Sequence, residues 1–322
     1  MEHMFKLLLG RAGAGKTSRV LERICAREDG HPQVLLVPEQ MSHETERALC
    51  AAGGPQINLR AEVLSFSRLA NRIFQTAGGL GEEELDGGGR LLLMYRAVRH
   101  TAPGLKVYGR PSRRPAFLAS LLATADELKS CCVPPEALIQ AGEEAAGPEG
   151  DKLQDLGLIF GTYQALTEQT ALDPRDRLTR AADKLRGCLW ARGADLWLDG
   201  FTDFTPQQGE LLRILMTQAR SVTVTLTCDH LEEDEGGSGI FSPARRTAAA
   251  LLRLAKQEGI PCEVEHLVSN PAGKAEQLAE MERTLFGENR PAPVPCGGTV
   301  ELFQAAALRS EVEWTAGRIL RL

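Results

Sequence analysis

The sequence lacks the features that would take it to a membrane or out of the cell. No apolar run approaches the roughly 20 residues a spanning helix needs. The amino end has no basic stretch leading into a long apolar core, so no secretory leader is visible and a cytoplasmic location is the default expectation. Metal-binding cysteine spacing is missing too. The eight cysteines (25, 50, 131, 132, 188, 228, 262 and 296) are scattered, without a C-x-x-C or a histidine at ligand spacing. They read as reduced thiols, mostly small core residues, and argue against a metal cluster in this segment. Nor is there an excess of positive charge. A net charge of −6 argues against indiscriminate nucleic-acid binding, while leaving room for a local basic groove. Acid gathers in Glu82-Glu83-Glu84 and from Asp229 to Glu235; base gathers in Arg96, Arg99, Lys106, Arg110, Arg113 and Arg114, which a solvated helix face and loop would explain. At 322 residues, 43% hydrophobic and 25% charged, the chain has core enough for one large or two medium globular domains.

What is there begins at the amino end. Gly10-Arg11-Ala12-Gly13-Ala14-Gly15-Lys16-Thr17 follows the apolar run Met4–Leu9 and opens the helical pattern from Ser18 to Ile24. This is G-x-x-x-x-G-K-[ST] in strand–loop–helix context, which a phosphate-binding P-loop requires. Gly10, Gly13 and Gly15 let the backbone curl, so that N–H groups around Ala14 to Ser18 point at phosphate oxygens. The helix adds the positive end of its dipole. Lys16 would reach the β- and γ-phosphates and the Thr17 hydroxyl would ligand Mg²⁺, making ATP and Mg²⁺ the expected cofactors. A glycine-rich turn with no ligand is the plainer explanation, but it does not account for every position being matched.

In chain order, strands are expected at Gln33–Pro38 and Ala61–Phe66, each followed by a helix. That rhythm implies a parallel sheet covered on both faces. Glycines and acids from 78 to 89 mark a surface crossing. From Arg90 to about Cys188 no strand pattern is found. Helices carry Leu91–Val98, Phe117–Leu128 and Leu153–Leu166, Pro134-Pro135 and 141–150 read as loops, and Asp173-Pro174 reads as a cap and first position of another helix. The sheet resumes at Asp195–Phe201 and Ser221–Asp229, with a capping box at Thr205 and Gln208 between them. Two more helix–strand units would end in strands Cys262–Val268 and Thr299–Gln304, the second after a helix around 275–286. A capping box at Ser310 and Glu313 would open a last helix with the apolar stripe Val312, Ala316, Ile319 and Leu320. The sequence stops within that helix, so the chain is expected to be the front of something longer. The divisions expected are a first part of the sheet domain at 1–88, an inserted all-helical subdomain at 89–190, and a second part at 191–322.

Hydrolysis at a P-loop needs a strand-end carboxylate for Mg²⁺ and usually a second acid to ready the attacking water. Leu196-Trp197-Leu198-Asp199 supplies the first, Asp199 and Thr17 being the metal candidates, unless Asp199 is only a turn residue before glycine. The next position is Gly200, where the second acid would sit. Binding therefore looks intact and the chemical step crippled.

These blocks resemble the amino terminus of the AddB (RexB) subunit family of bacterial AddAB helicase–nucleases. The resemblance rests on Phe5–Thr17, Leu35–Met41, Val63–Leu69, Leu198–Pro206 and Ser310–Trp314 and spans the chain. It implies a RecA-like P-loop NTPase sheet of the superfamily 1 helicase motor type with an inserted helical subdomain. It also implies an AddA-type helicase–nuclease partner, double-strand-end processing for recombination, and a degenerate motor that tracks single-stranded DNA and helps read the hotspot Chi. The family's nuclease domain and iron–sulfur cluster lie downstream of residue 322. By position the resemblance nominates Gln40, Ser42, Phe66, Arg68, Asn71, Phe201 and Phe204 for DNA contact. Such types can stack on bases or pair with base edges and phosphate, although core packing would equally explain Phe66 and Phe201, and a solvated helix start Gln40. Arg309 is a candidate near the nucleotide. The nine residues before Gly10 leave little room for an adenine-recognising segment, so weak base selectivity is expected. Two other functions stay open: a small-molecule P-loop phosphotransferase (kinase) with a helical lid, for which no acceptor pocket is identified, and a structural subunit with a vestigial P-loop.

Overall fold

A computed structural model describes residues 3–109, 114–145, 147–232, 239–268, 275–284 and 299–321. These fall into two compact units, one of Met1–Glu233 with Phe241–Leu267 and one of Asp234–Ile240 with Val268–Leu322.

The first unit is built on six parallel strands: β1 (Met4–Gly10), β2 (Gln33–Leu36), β3 (Ala61–Leu64), β4 (Asp195–Leu198), β5 (Ser221–Thr227) and β6 (Cys262–His266). Their order is β3-β2-β4-β5-β1-β6. Strands β2 and β4 are buried at every position, as strands covered on both faces must be. One face carries α1 (Lys16–Ala26) and α2 (Ser42–Gly53), whose Val20, Ile24 and Leu49 pack on Leu8, Leu35 and Trp197. The other face carries α3 (Phe66–Ala77), which packs Leu69, Ile73 and Phe74 into the core with Phe5, Leu7 and Leu36. A side chain wholly removed from water there, such as Leu36 at 0% exposed, contributes about 1.5–3 kcal/mol.

Between β3 and β4 the chain is helical: α4 (Gly87–Thr101), α5 (Pro115–Ser130), α6 (Pro135–Ala145), α7 (Gly147–Glu168) and α8 (Arg177–Arg186). Helices α4, α5 and α7 share a core of their own around Met94, Leu121, Phe160 and Tyr163. By contrast, Ala181, Ala182 and Leu185 of α8 belong to the core beneath the sheet, beside α9 (Pro206–Gln218) and α10 (Ser242–Gln257). The Thr205/Gln208 capping box forms as expected. Asp173 caps a single 3₁₀ turn that leads into α8.

Several expectations are corrected. Pro135 begins α6 rather than lying in a loop, and the described residues of the expected loop 141–150, namely 141–145 and 147–150, are helical. Proline is tolerated there because the first helical N–H has no intrahelical partner. In the second unit, which holds α11 (Glu276–Thr284) and α12 (Leu308–Ile319), Thr299–Gln304 is not a strand. Phe303 instead stacks on Trp314 of α12, with ring centroids 4.4 Å apart. Nor does Ser310 cap that helix. It starts at Leu308, and Glu313 pairs with Arg309. Val312, Ile319 and Leu320 are exposed. The predicted strand Cys262–Val268 ends at His266. Arg110, Arg113, Cys296, residues 285–286 of the expected helix and part of the 229–235 acidic run lie outside the described residues.

Helices α6 and α7 meet through glycine. A Cβ on Gly157 would come within 2.5 Å of Ile139 Cγ1 and 2.9 Å of the Pro135 carbonyl, whereas one on Gly161 would meet only Pro135 Cβ at 3.7 Å. Helix propensity alone makes Gly→Ala favourable by up to about 1 kcal/mol. Gly161→Ala is therefore expected to stabilise by that order. Gly157→Ala is expected to destabilise by about 1–3 kcal/mol through overpacking. Urea denaturation of the two variants checks the opposite signs.

A strand-end carboxylate beside a phosphate-type loop

The loop after β1 has the shape its glycines predict. Gly13 and Gly15 take left-handed φ of 75° and 84°, and Gly15 caps α1 without a side-chain hydrogen bond. The first N–H groups of α1 have no intrahelical acceptor and open toward the loop, where an anion is favoured. Ala14 N–H closes back on the Arg11 carbonyl at 3.1 Å. Ser18 is exposed in the first helical turn. The Lys16 amine donates to the carbonyl oxygens of Gly10 at 2.7 Å and Arg11 at 3.0 Å, so it lies along its own loop. Burial lowers its pKa from the ordinary lysine value, while the negative charge of Asp199 pulls the other way.

Asp199 follows β4 and is 3% exposed. Its Oδ2 accepts from Thr17 Oγ1 at 2.7 Å, and its Oδ1 accepts a short hydrogen bond from Thr225 of β5. Among the described residues it forms no ion pair. Its two hydrogen bonds come from neutral hydroxyls, and Lys16 acts on its charge through space without an ion pair. The donor set of Thr17 and Asp199 is oxygen only, and among the described residues there is no cluster of three or more His, Cys, Asp or Glu for a metal. Hard oxygen donors in small number suit Mg²⁺, which keeps several waters and completes its shell with phosphate. The residues fit the Mg²⁺–triphosphate group that the sequence motif implies.

Gly200 has φ 80°, and a Cβ there would lie 2.9 Å from Met41 Sδ and 3.4 Å from Pro38 Cδ. A side chain here, where the motif would place a water-activating acid, meets left-handed backbone strain and requires the Met41 thioether to shift. A second carboxylate, Asp229, follows β5, but it is taken. Arg11 reaches its Oδ2 at 3.3 Å and the buried Arg245 its Oδ1 at 3.0 Å. Burial pushes Asp229 up, but Arg245 and its other partners outweigh this and hold it below the ordinary carboxylate range.

The residues nominated for DNA contact gather beyond the ends of β2, β3 and β4. Gln40 is exposed in a 3₁₀ turn, and the buried Ser42 Oγ has no hydrogen-bond partner. Phe66 is 5% exposed and belongs to the core, its ring edge-on to Phe201 at 5.5 Å. Phe201 and Phe204, 5.1 Å apart, are half-buried in front of it. Arg68 pairs with Glu46, and Asn71 accepts from Arg177. Arg309 lies in α12 of the second unit. Sequence reasoning missed Thr225, Met41 and the Arg11–Asp229–Arg245 link. Only Thr225 had a signal: Ser221 and Thr225 repeat on β5 at the four-residue spacing of Asp195 and Asp199.

With this geometry in view, the chain's relatives are informative. The family described as ADDB, N-terminal, matches residues 7–282, and the chain belongs to it. The B subunit of the ATP-dependent helicase/deoxyribonuclease of Thermoanaerobacter sp. (strain X514) is 35% identical over 326 residues, covering 98% of this chain and 28% of the relative. The proteins of the same name from Heliobacterium modesticaldum and Desulforudis audaxviator are 36% and 35% identical, each over 98% of this chain and 27% and 28% of theirs. The chain thus spans little more than a quarter of the relatives it matches. No helix among the described residues is long and apolar enough to cross a membrane.

Replacing Gly200 by glutamate is expected to destabilise the protein by about 1–3 kcal/mol, from left-handed strain and overpacking against Met41. It should not raise ATP turnover. Paired denaturation and steady-state phosphate-release assays check this; a stable, faster variant contradicts both expectations.

Proposed function

We propose that this chain is the amino-terminal, degenerate helicase domain of the B subunit of a helicase–nuclease that processes double-strand breaks. On this proposal it takes a RecA-like P-loop fold, binds Mg–ATP and single-stranded DNA, and hydrolyses ATP little or not at all. The observation that carries the proposal is the convergence of Thr17 and Asp199 at 2.7 Å beside a P-loop, with Gly200 against Met41 where a base would stand. The name its relatives carry supports the helicase–nuclease part, and an AddA-type subunit is the partner proposed. The strand order supports the fold assignment: the P-loop and Asp199 both follow carboxyl ends of parallel strands, where open α/β sheets bind ligands.

In use, the Gly10–Ser18 loop and the α1 amino terminus would hold the phosphates. Lys16 would leave its two carbonyls for the β- and γ-phosphate oxygens, while Thr17 and Asp199 would hold Mg²⁺, which supplies charge neutralisation when bound. No residue described at position 200 takes a proton from water, so the nucleotide is retained as a bound state. Unpaired bases would stack against Phe201 and Phe204, with Phe66 as the wall behind, each stacked base contributing about 1–3 kcal/mol. Gln40, Ser42, Arg68 and Asn71 would contact bases or backbone beside them, Arg68 and Asn71 exchanging Glu46 and Arg177 for DNA.

Lys16→Ala is expected to weaken Mg–ATP binding by about 1.5–3 kcal/mol, the range for hydrogen bonds to charged groups, in calorimetry. ATP turnover at helicase-like rates by the isolated chain would overturn the inactive-motor part. Binding of labelled single-stranded DNA should fall with salt by about 0.7 log units per tenfold salt for each phosphate engaged. A flat salt dependence would remove the DNA role.

A further inference from the structure

Strands β4 and β5 pair in register from Asp195↔Ser221 to Leu198↔Val224, so the next positions outward are Asp199 and Thr225. At each end of this pairing an aspartate accepts from the hydroxyl opposite it: Asp195 Oδ1 from Ser221 Oγ at 2.6 Å, and Asp199 Oδ1 from Thr225 Oγ1. The two ends differ in everything else. Asp195 also meets Arg220, Arg27 at 3.3 Å and Gln33 at 2.9 Å. Burial raises its pKa, but these partners outweigh that and hold the carboxyl below its ordinary range. Its charge is fully answered by the protein. Asp199 receives the same cross-strand hydroxyl and one further hydroxyl, Thr17, and no arginine.

Resting on the Mg–ATP assignment above, we propose that Thr225 is a positioning residue for the metal site. It ties Oδ1 of Asp199 down to β5, leaving Oδ2 facing the Thr17 hydroxyl and the P-loop. Thr225 is 2% exposed on a central strand, and its hydroxyl is engaged by Asp199. It acts by restricting the carboxylate to one orientation before the ligand arrives, as outer partners of metal ligands do. The β-branched side chain is stiff at χ1, which suits a residue that sets a neighbour's direction.

The test compares Thr225→Val, which keeps the shape and removes the hydroxyl, with Thr225→Ser and Asp199→Ala in the whole chain. ATP binding is titrated with Mg²⁺ and, separately, in excess chelator, with thermal denaturation of each variant in parallel. The Mg²⁺ midpoint of Thr225→Val is expected to rise roughly 10–100-fold, the usual cost of losing a metal ligand's outer partner. Its ATP affinity in chelator should stay unchanged, and Thr225→Ser should keep the wild-type midpoint. A wild-type Mg²⁺ midpoint in Thr225→Val, with Asp199→Ala impaired, overturns the positioning role alone. Equal losses with and without Mg²⁺ in Thr225→Val overturn it in favour of a purely structural hydroxyl. If wild type and Asp199→Ala bind ATP alike, with no Mg²⁺ dependence, the Mg–ATP assignment itself fails and this role with it.

Discussion

A carboxylate withdrawn from water has to be answered by donors or by positive charge. Asp199 sits between the two hydroxyls of Thr17 and Thr225, and the surrounding architecture follows from keeping it there. Strand β4 must end at that residue and β5 must run alongside in register. The loop after β1 must bring Thr17 across from the far side of β5. Neighbouring parallel strands and the glycine-rich turn are thus coordinated on one oxygen pair. The contrast with Asp195 gives the arrangement its meaning. The same cross-strand geometry at the other end of β4 is neutralised by arginines, whereas Asp199 meets two hydroxyls and no arginine.

Much of this is legible in the chain because it is local. The P-loop is a run of eight residues with fixed spacing, Asp199 ends an apolar triplet, and the Thr205/Gln208 cap is read within four residues. Each depends on neighbours in sequence and so survives without knowledge of the fold. The errors share a different cause. Pro135 reads as a breaker, although proline at a first helical position has no hydrogen bond to lose. Thr299–Gln304 has the alternation of a strand, but Phe303 finds a ring to stack on in its own unit. Capping at Ser310 is overtaken by a helix that starts two residues earlier, where Arg309 can pair with Glu313.

The site's remaining parts cannot be read locally, because they are contacts across the sheet. Thr225 lies 26 positions from Asp199, and the strand holding it is inserted between those of the P-loop and the acid, an order no local pattern encodes. Gly200 reads as the place of an absent glutamate; the structure adds what a side chain there would meet. The left-handed backbone strains any side chain there, and the Met41 thioether would have to shift to admit one. Phe66 shows the opposite limit. The family resemblance nominates it for DNA contact and core packing explains it equally; a ring at the start of a helix over the sheet is more favourably buried, and it forms the backing for Phe201 and Phe204.

The thioether resting on Gly200 belongs to the residue between Gln40 and Ser42. The 3₁₀ turn carrying Gln40 therefore lies close to the peptide immediately after Asp199. The turn that carries Gln40 and Ser42 and the backbone that follows Asp199 are thus near neighbours in the fold, with the Met41 side chain directed at Gly200.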